Sequence, residues 1–205
     1  MKHKYKLAFC IPVYHAEKYI RRMVTSIAAQ KVDFPMEIVL AVDPRDDHWY
    51  SASLLPILDG TGIHLTEKHC DPGHGMSCGA ARNEAFAVCD ADYVWFVDAD
   101  DWLCDERAAA FMVAVADGYE TDVAECQFDG PFPCKQSRMM AWLRILSYDI
   151  AKDHPFPDQK NQEDRDMYIG LVKDPRYSSA KTTSAKFYHY DWGRADSMTE
   201  GKVLS

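Results

Sequence analysis

The chain of 205 residues is 47% hydrophobic and 12% aromatic, a composition that fits one full domain with a decorated end and excludes global disorder. Its 23 basic and 32 acidic residues leave a net charge of −9, which argues against a phosphate-backbone grip on nucleic acid and against a polybasic membrane patch. No apolar run approaches the roughly 18 residues of a spanning helix, and segment 7–13, interrupted by Pro12, is too short for a signal-peptide core, so the cytoplasm is the expected compartment.

In chain order, residues 7–11 form a short apolar run closed by Pro12 and read as a buried strand. Ala16, Tyr19, Ile20, Met23, Val24 and Ile27 then recur at helical steps, predicting an amphipathic helix over 16–30. A second strand is expected over 37–43, a weaker helix broken by Pro56 over 49–58, and a third strand over 63–66. Helix 80–88, strand 93–97 and helix 106–116 complete a β-α-β-α-β-α-β-α order. That alternation predicts a parallel sheet with helices on both faces. Beyond it the pattern predicts a strand over 122–126, a helix over 139–150, a Pro-containing loop over 153–162, a helix over 163–172 and a strand over 186–190. Seven cysteines, an odd number without a CxxC pair, fit reduced thiols better than a disulfide framework.

In such sheets ligands collect at the carboxyl ends of the strands. This rule singles out Pro12, Val13 and Tyr14 after the first strand, Asp43 after the second, and Asp98, Ala99, Asp100 and Asp101 after the fourth. Three carboxylates on one turn repel one another unless a cation sits among them, and oxygen ligands suit Mg²⁺ or Mn²⁺. The plainer alternative is a solvated acidic turn that caps helix 106–116. The glycine-rich stretch 73–79 runs into a helix and could hold an anion at the helix start, or be a simple turn. Cys70, His74 and Cys78 are spaced for zinc, but a fourth ligand is missing.

Together these segments resemble a family-2 glycosyltransferase of the GT-A fold. The resemblance rests on C-I-P-V-Y-H-A-E-K-Y-I (10–20) with S-I-A-A-Q (26–30), E-I-V-L-A-V-D (37–43), G-A-A-R-N-E-A-F (79–86) and D-Y-V-W-F-V-D-A-D-D-W-L (92–103). H-P-F-P-D (154–158) and Q-E-D-R-D-M-Y (162–168) are similar to that family's acceptor-side segment. The resemblance implies a single domain over 1–205, with a nucleotide-sugar-binding half (1–105) and an acceptor-side half with the C-terminal segment (106–205). It implies an inverting, metal-dependent transferase that moves a sugar from a nucleotide-diphosphate donor, a UDP-sugar, to a hydroxyl of a glycan, lipid-linked or protein acceptor. Peripheral association with a membrane is compatible with it.

Residue by residue, the resemblance places Tyr14 near the base, with Pro12, Val13 and Glu17 also at donor-binding positions, and Asp43 on the base or ribose. Arg82 would approach the base or phosphates. Asp98 and Ala99 would contact the donor, and Asp98 and Asp100 would hold Mn²⁺ or Mg²⁺. Asp164 matches the general base, with Glu163 as its fallback. Segment 187–199 resembles the part that reaches the diphosphate, which makes His189 a candidate metal ligand and Arg194 a donor ligand. Two departures stand out: Val42, Asp43, Pro44 and Arg45 replace the usual D-D-G-S neighbourhood, and His15 replaces the usual Asn after Tyr14. The alternatives are a non-catalytic nucleotide-sugar-binding module and a Rossmann-type NAD(P) oxidoreductase, the latter out of order because its glycine loop follows the third strand.

Overall fold

The structure, a computed structural model, describes residues 3–71, 77–129, 139–159 and 161–191. The first half follows the alternation: β1 (Tyr5–Val13), α1 (Ile20–Ala28), β2 (Met36–Val42), α2 (Ser51–Leu58), β3 (His64–His69), α3 (Cys78–Phe86) and β4 (Ala91–Phe96). The second half adds β5 (Trp102–Leu103), α4 (Ala108–Gly118), β6 (Val123–Asp129), β7 (Arg144–Ser147), α5 (Tyr148–Asp153), α6 (Glu163–Leu171) and β8 (Lys181–His189). The strands lie in one sheet in the order β3-β2-β1-β4-β7-β6-β8-β5. Four neighbouring pairs are parallel, β2 with β1, β1 with β4, β3 with β2 and β6 with β8, and three are antiparallel.

Alternation along the strands explains the two cores. In β1, Leu7, Phe9, Ile11 and Val13 face α1, α2 and α4, while Ala8 and Cys10 face the other side with α3, α5 and α6. Small residues on that second face, including Ala41 and Ala91, let α3 lie close against the sheet. On α1, Ile20, Met23, Val24 and Ile27 are buried and Arg21 and Arg22 point outward, as the helical spacing requires. The buried Trp95 ring satisfies its only donor by giving Nε1–H to the Trp142 carbonyl at 2.8 Å, which ties β4 to the turn before β7.

The expected helix over 139–150 is corrected by the structure: a 3-10 turn (Ala141–Leu143) leads into strand β7, and α5 starts only at Tyr148. Ile145 and Leu146 enter opposite cores, so this segment is apolar on both sides, and such a run does not distinguish strand from helix by periodicity. The strand expected over 186–190 is longer, Lys181–His189. Strand β5, only two residues long, carries too little pattern to be read.

The chain proceeds from β1 outward to β2 and β3, then returns to place β4 on the other side of β1. The loops that follow β1 and β4 therefore flank the point where the direction of winding reverses, the place where open sheets of this kind take ligands. α3 follows β3 and not β1, so the glycine-rich segment does not occupy the first-crossover position that a Rossmann cofactor site needs.

Candidate active site

The acidic turn after β4 is held by one face of α1. Arg22, Ser26 and Gln30 recur every four residues along this helix and its C-terminal end. Arg22 Nη2 donates to the Asp100 carbonyl at 2.6 Å and to Asp191 Oδ2 at 2.6 Å, with its guanidinium 3.9 Å from the centre of the Trp102 ring. Ser26 Oγ accepts the Leu103 amide at 3.0 Å. The buried Gln30 donates to the Asp105 carbonyl at 2.9 Å and accepts from Ala109 N–H at 2.9 Å, satisfying an otherwise orphaned donor in the first turn of α4.

Within the turn, Asp101 is buried and Asp98 and Asp100 are half-buried. Tyr188 donates its hydroxyl to Asp101 Oδ2 at 2.7 Å and accepts the Asp98 amide at 2.9 Å, while the Asp191 amide donates to Asp101 Oδ1 at 2.9 Å. Burial, reinforced by Asp98 and Asp100, pushes the Asp101 carboxyl up to about 8. Asp101 thus braces the turn from beneath, and Asp98 and Asp100 occupy its more open side.

Arg82, only 3% exposed, joins this turn to α6. Its Nη2 donates to Asp98 Oδ1 at 2.6 Å, and its Nη1 donates to Asp164 Oδ1 at 2.8 Å and to Glu163 Oε1 at 3.4 Å. The guanidinium carbon lies 5.2 Å from the Phe156 ring centre, and among the described residues Nε has no hydrogen-bond partner. Asp164 is pushed up to about 6: burial raises it, Arg82 opposes that, and the Asp98 and Glu163 charges add to the rise. A carboxylate with a value there can still be ionised at neutral pH yet binds a proton more tightly than an ordinary aspartate.

The α3 N-terminus places the start of α6. Ser77 caps α3 by accepting the Ala80 amide at 3.0 Å and donates to Asp158 at 2.9 Å. Asn83 grips Phe156 in both directions, donating to its carbonyl at 2.8 Å and accepting its amide at 2.9 Å. Gly79 makes the contact possible: a Cβ there would lie 2.9 Å from Phe156 Cβ, 3.0 Å from the Pro157 carbonyl oxygen and 3.1 Å from Glu163 Cβ. Residues 79–83 thus form a mount for segment 156–164, a role the sequence reading did not assign to Gly79 or Asn83.

At the ends of β1 and β2, Pro12 is half-buried, Val13 buried and Tyr14 43% exposed. The Asp43 amide donates to the Val13 carbonyl at 2.9 Å, joining the two loops. The Asp43 carboxylate, 7% exposed, is engaged by Arg45, whose Nε and Nη2 reach its two oxygens at 3.0 and 2.8 Å. The same guanidinium covers the Tyr14 ring at 4.6 Å. Glu17 pairs with His48 at 2.9 Å, and Ala99 is buried. His189 stacks on Trp102 with centroids 3.8 Å apart, and its Nδ1 faces Asp129 at 3.6 Å. Arg194, residues 73–76 of the glycine-rich stretch with His74, and the C-terminal part of segment 187–199 lie outside the described residues.

The carboxylate surplus bears on the expected cation. Asp98, Glu163 and Asp164 share Arg82, and Asp100 adds one more carboxylate beside Asp98, while Asp101, pushed up to about 8, keeps its proton at neutral pH. Hard oxygen donors in excess of the cationic charge would suit Mg²⁺ or Mn²⁺, with Asp98 and Asp100 the accessible carboxylates that could hold it. No helix among the described residues is long and apolar enough to cross a membrane.

Comparisons with known proteins agree with this architecture. GlyA of Streptococcus pneumoniae, a glycosyltransferase, is 28% identical over 142 residues, covering 69% of this chain and 19% of GlyA. The poly(ribitol-phosphate) β-N-acetylglucosaminyltransferase TarS of Staphylococcus aureus is 30% identical over 133 residues, covering 61% of this chain and 21% of TarS. The chain therefore spans about a fifth of the length of these two relatives. The crystal structure of TarS 1-349 with UDP-GlcNAc superposes with a TM-score of 0.74 at 20% identity, covering 97% of this chain and 62% of the other. A mannosyltransferase from Pyrobaculum calidifontis with GDP-Man and Mn²⁺ gives a TM-score of 0.68 at 15% identity, covering 95% and 59%. At these identities the superpositions establish the shared GT-A fold. The family model for glycosyl transferase family 2 matches residues 8–171, a stretch that runs from β1 to the end of α6, and the chain belongs to that family.

Proposed function

We propose that this chain is an inverting glycosyltransferase that moves a sugar from a nucleoside-diphosphate donor, a UDP-sugar, to a hydroxyl of a glycan, lipid-linked or protein acceptor. One observation carries the reading: a single buried guanidinium, Arg82, holds Asp164 beside Asp98. A proton acceptor is thereby set next to the turn that would hold the donor's diphosphate. Asp164 takes the acceptor's hydroxyl proton as that oxygen forms its bond to the anomeric carbon, and the carbon–oxygen bond to the diphosphate breaks on the opposite face. Glu163, beside it on Arg82, is the fallback base.

The donor cleft in this reading is lined by Pro12, Val13, Tyr14 and Asp43 at the β1 and β2 ends and by Asp98 and Ala99 at the β4 end, with Arg194 as a further ligand. Asp98 and Asp100 would hold Mg²⁺ or Mn²⁺, which when bound neutralises charge on the leaving diphosphate. For His189 to join them, its ring would have to turn from Asp129. The TarS structure in complex with UDP-GlcNAc and the mannosyltransferase structure in complex with GDP-Man and Mn²⁺ support a nucleotide-sugar and a divalent cation. The free thiols among the described residues support a cytoplasmic setting.

A second reading, a nucleotide-sugar-binding module without turnover, is favoured by the Arg45 clamp on Asp43, which occupies both oxygens of the expected base or ribose ligand. A screen of UDP-, GDP- and dTDP-sugars for nucleotide release with Mn²⁺ separates the two. Release from one donor class supports transfer, and tight binding without release across an acceptor panel supports the module.

A further inference from the structure

The two positions at which the chain departs from the family pattern, His15 and the loop after β2, meet in space. His48 Nδ1 lies 2.9 Å from Glu17 Oε1 and 2.9 Å from Asp46 Oδ1. The His15 ring stands edge-on to the His48 ring with centroids 6.4 Å apart. One ligand atom from each of His15, Glu17, Asp46 and His48 falls within 4.8 Å of all the others. We propose that these four residues bind a divalent transition-metal ion of the zinc class, at a site separate from the acidic turn after β4.

The donor set carries the choice of ion. Two imidazoles with two carboxylates suit Zn²⁺, in contrast to the all-oxygen turn at Asp98 and Asp100. Four ligands at about 2.0–2.2 Å around a tetrahedral ion stand about 3.3–3.6 Å from one another. Three of the four residues are exposed and can reach that spacing by turning their side chains. The fourth, Asp46, is 1% exposed and already aimed. Its Oδ2 accepts the Tyr50 hydroxyl at 2.7 Å and the His15 amide at 2.7 Å, and its Oδ1 accepts the His48 amide at 3.1 Å and faces His48 Nδ1 at 2.9 Å. Such outer bonds orient a metal-binding carboxylate. The His15 amide reaches Asp46 because His15 adopts φ 47, a left-handed conformation uncommon outside glycine. Among the described residues neither ring nitrogen of His15 has a hydrogen-bond partner. A metal here would staple the β1–α1 loop to the β2–α2 loop, and these loops carry Tyr14 and Asp43. The inference does not depend on the transferase reading.

The competing account is an imidazolium: His48 protonated between Glu17 and Asp46 needs no metal, and hydrogen bonding from Asp46 does raise the His48 value. Co²⁺ distinguishes the two because a four-coordinate Co²⁺ site absorbs strongly in the visible. The full chain, stripped with chelator, is titrated with Co²⁺ and then with Zn²⁺. The expected result is a four-coordinate band that accounts for one Co²⁺ per chain, whatever Co²⁺ the all-oxygen turn also takes, and that one equivalent of Zn²⁺ removes. His15→Asn combined with His48→Gln should weaken Co²⁺ binding by roughly 100-fold or more, since even supporting residues of metal sites cost 10- to 100-fold. Both histidines are exposed, and Asn tolerates the left-handed conformation at 15, so this variant keeps its fold. Glu17→Gln is an independent second removal, and Asp100→Ala should leave the band unchanged. Absence of the band in the unaltered chain, its survival in the double variant, or its loss in Asp100→Ala would each overturn the proposal. Nucleotide release is not read, so failure here is distinct from failure of the transferase reading.

Discussion

Asp98 and Asp164, on separate halves of the chain, are held by the two terminal nitrogens of one guanidinium, Arg82, at 2.6 and 2.8 Å. The Ala141 amide also reaches Asp164, but the link between Asp164 and the turn after β4 runs through this side chain from α3. That dependence makes Arg82 a positioning residue whose removal should be felt in both stability and proton affinity.

Arg82→Gln leaves Asp98, Glu163 and Asp164 without their shared cation in a largely buried setting. Breaking a buried ion pair from one side costs about 3–5 kcal/mol. Urea unfolding monitored by tryptophan fluorescence should show a loss of that order with little change in slope. Because the Arg82 charge opposes the rise in Asp164, the variant that still folds should also need a higher pH to ionise Asp164.

The pH dependence of the unaltered protein has a defined sign. As the proposed base, Asp164 would act only when ionised, and its value is pushed up to about 6. Below that pH, kcat/KM should fall about tenfold per unit, and above it should level off. For stability the sign is opposite: the folded value lies above the ordinary 3.8, so the folded state holds this proton more tightly than the unfolded chain. Its contribution to stability is therefore full below about 4 and declines as pH rises to about 6. Initial rates and unfolding midpoints across pH 4.5–8 (about this range spans the limb) check both.

Gly79→Ala tests the mount beneath α6. The added Cβ meets Phe156 Cβ at 2.9 Å and the Pro157 carbonyl at 3.0 Å, and neither is the far end of a flexible side chain. Overpacking of this kind costs about 1–3 kcal/mol. The same shift pushes Glu163 away from α3, so kcat should fall while donor affinity, which the proposed reading assigns to the β1, β2 and β4 ends, stays within a fewfold. A variant with unaltered unfolding and unaltered kcat would show that the close approach positions nothing.

Asp100→Ala removes a half-buried oxygen from the acidic turn without opening a core cavity. Calorimetric titration of UDP with and without Mn²⁺ should show metal-enhanced binding in the unaltered protein and equal, weak binding in the variant. Metal enhancement that persists in the variant would move the cation away from Asp100.

The parallel β3-β2-β1-β4 run was legible because its strands are closed apolar runs and its helices have a clean inward face, as in Ile20, Met23, Val24 and Ile27. Asp98 was a legible candidate because it follows a readable strand, and Asp164 was a candidate only through the family resemblance of segment 162–168. Arg82 was recognisable as a motif residue, but its contacts with α6 were not, since no local pattern tells a helix which distant carboxylates will meet it. Segment 139–150 misled for a physical reason: Trp142, Ile145, Leu146 and Ile150 are all buried, so no polar face marks its period. Asp46 escaped notice because it stands among other polar loop residues, and only the fold brings Tyr50 and His15 onto its carboxylate.

The central claim, that Asp164 is the base of a transfer reaction, is tested most directly by Asp164→Asn, which keeps the size of the side chain but cannot accept a proton at neutral pH. For a donor that the unaltered protein turns over, nucleotide release in the presence of acceptor and donor affinity are measured side by side. The account predicts release slowed by about 10² to 10⁴, with donor affinity within a fewfold. Full release in Asp164→Asn would contradict it, and donor affinity lost together with release would show that Asp164 builds the cleft instead of taking the proton.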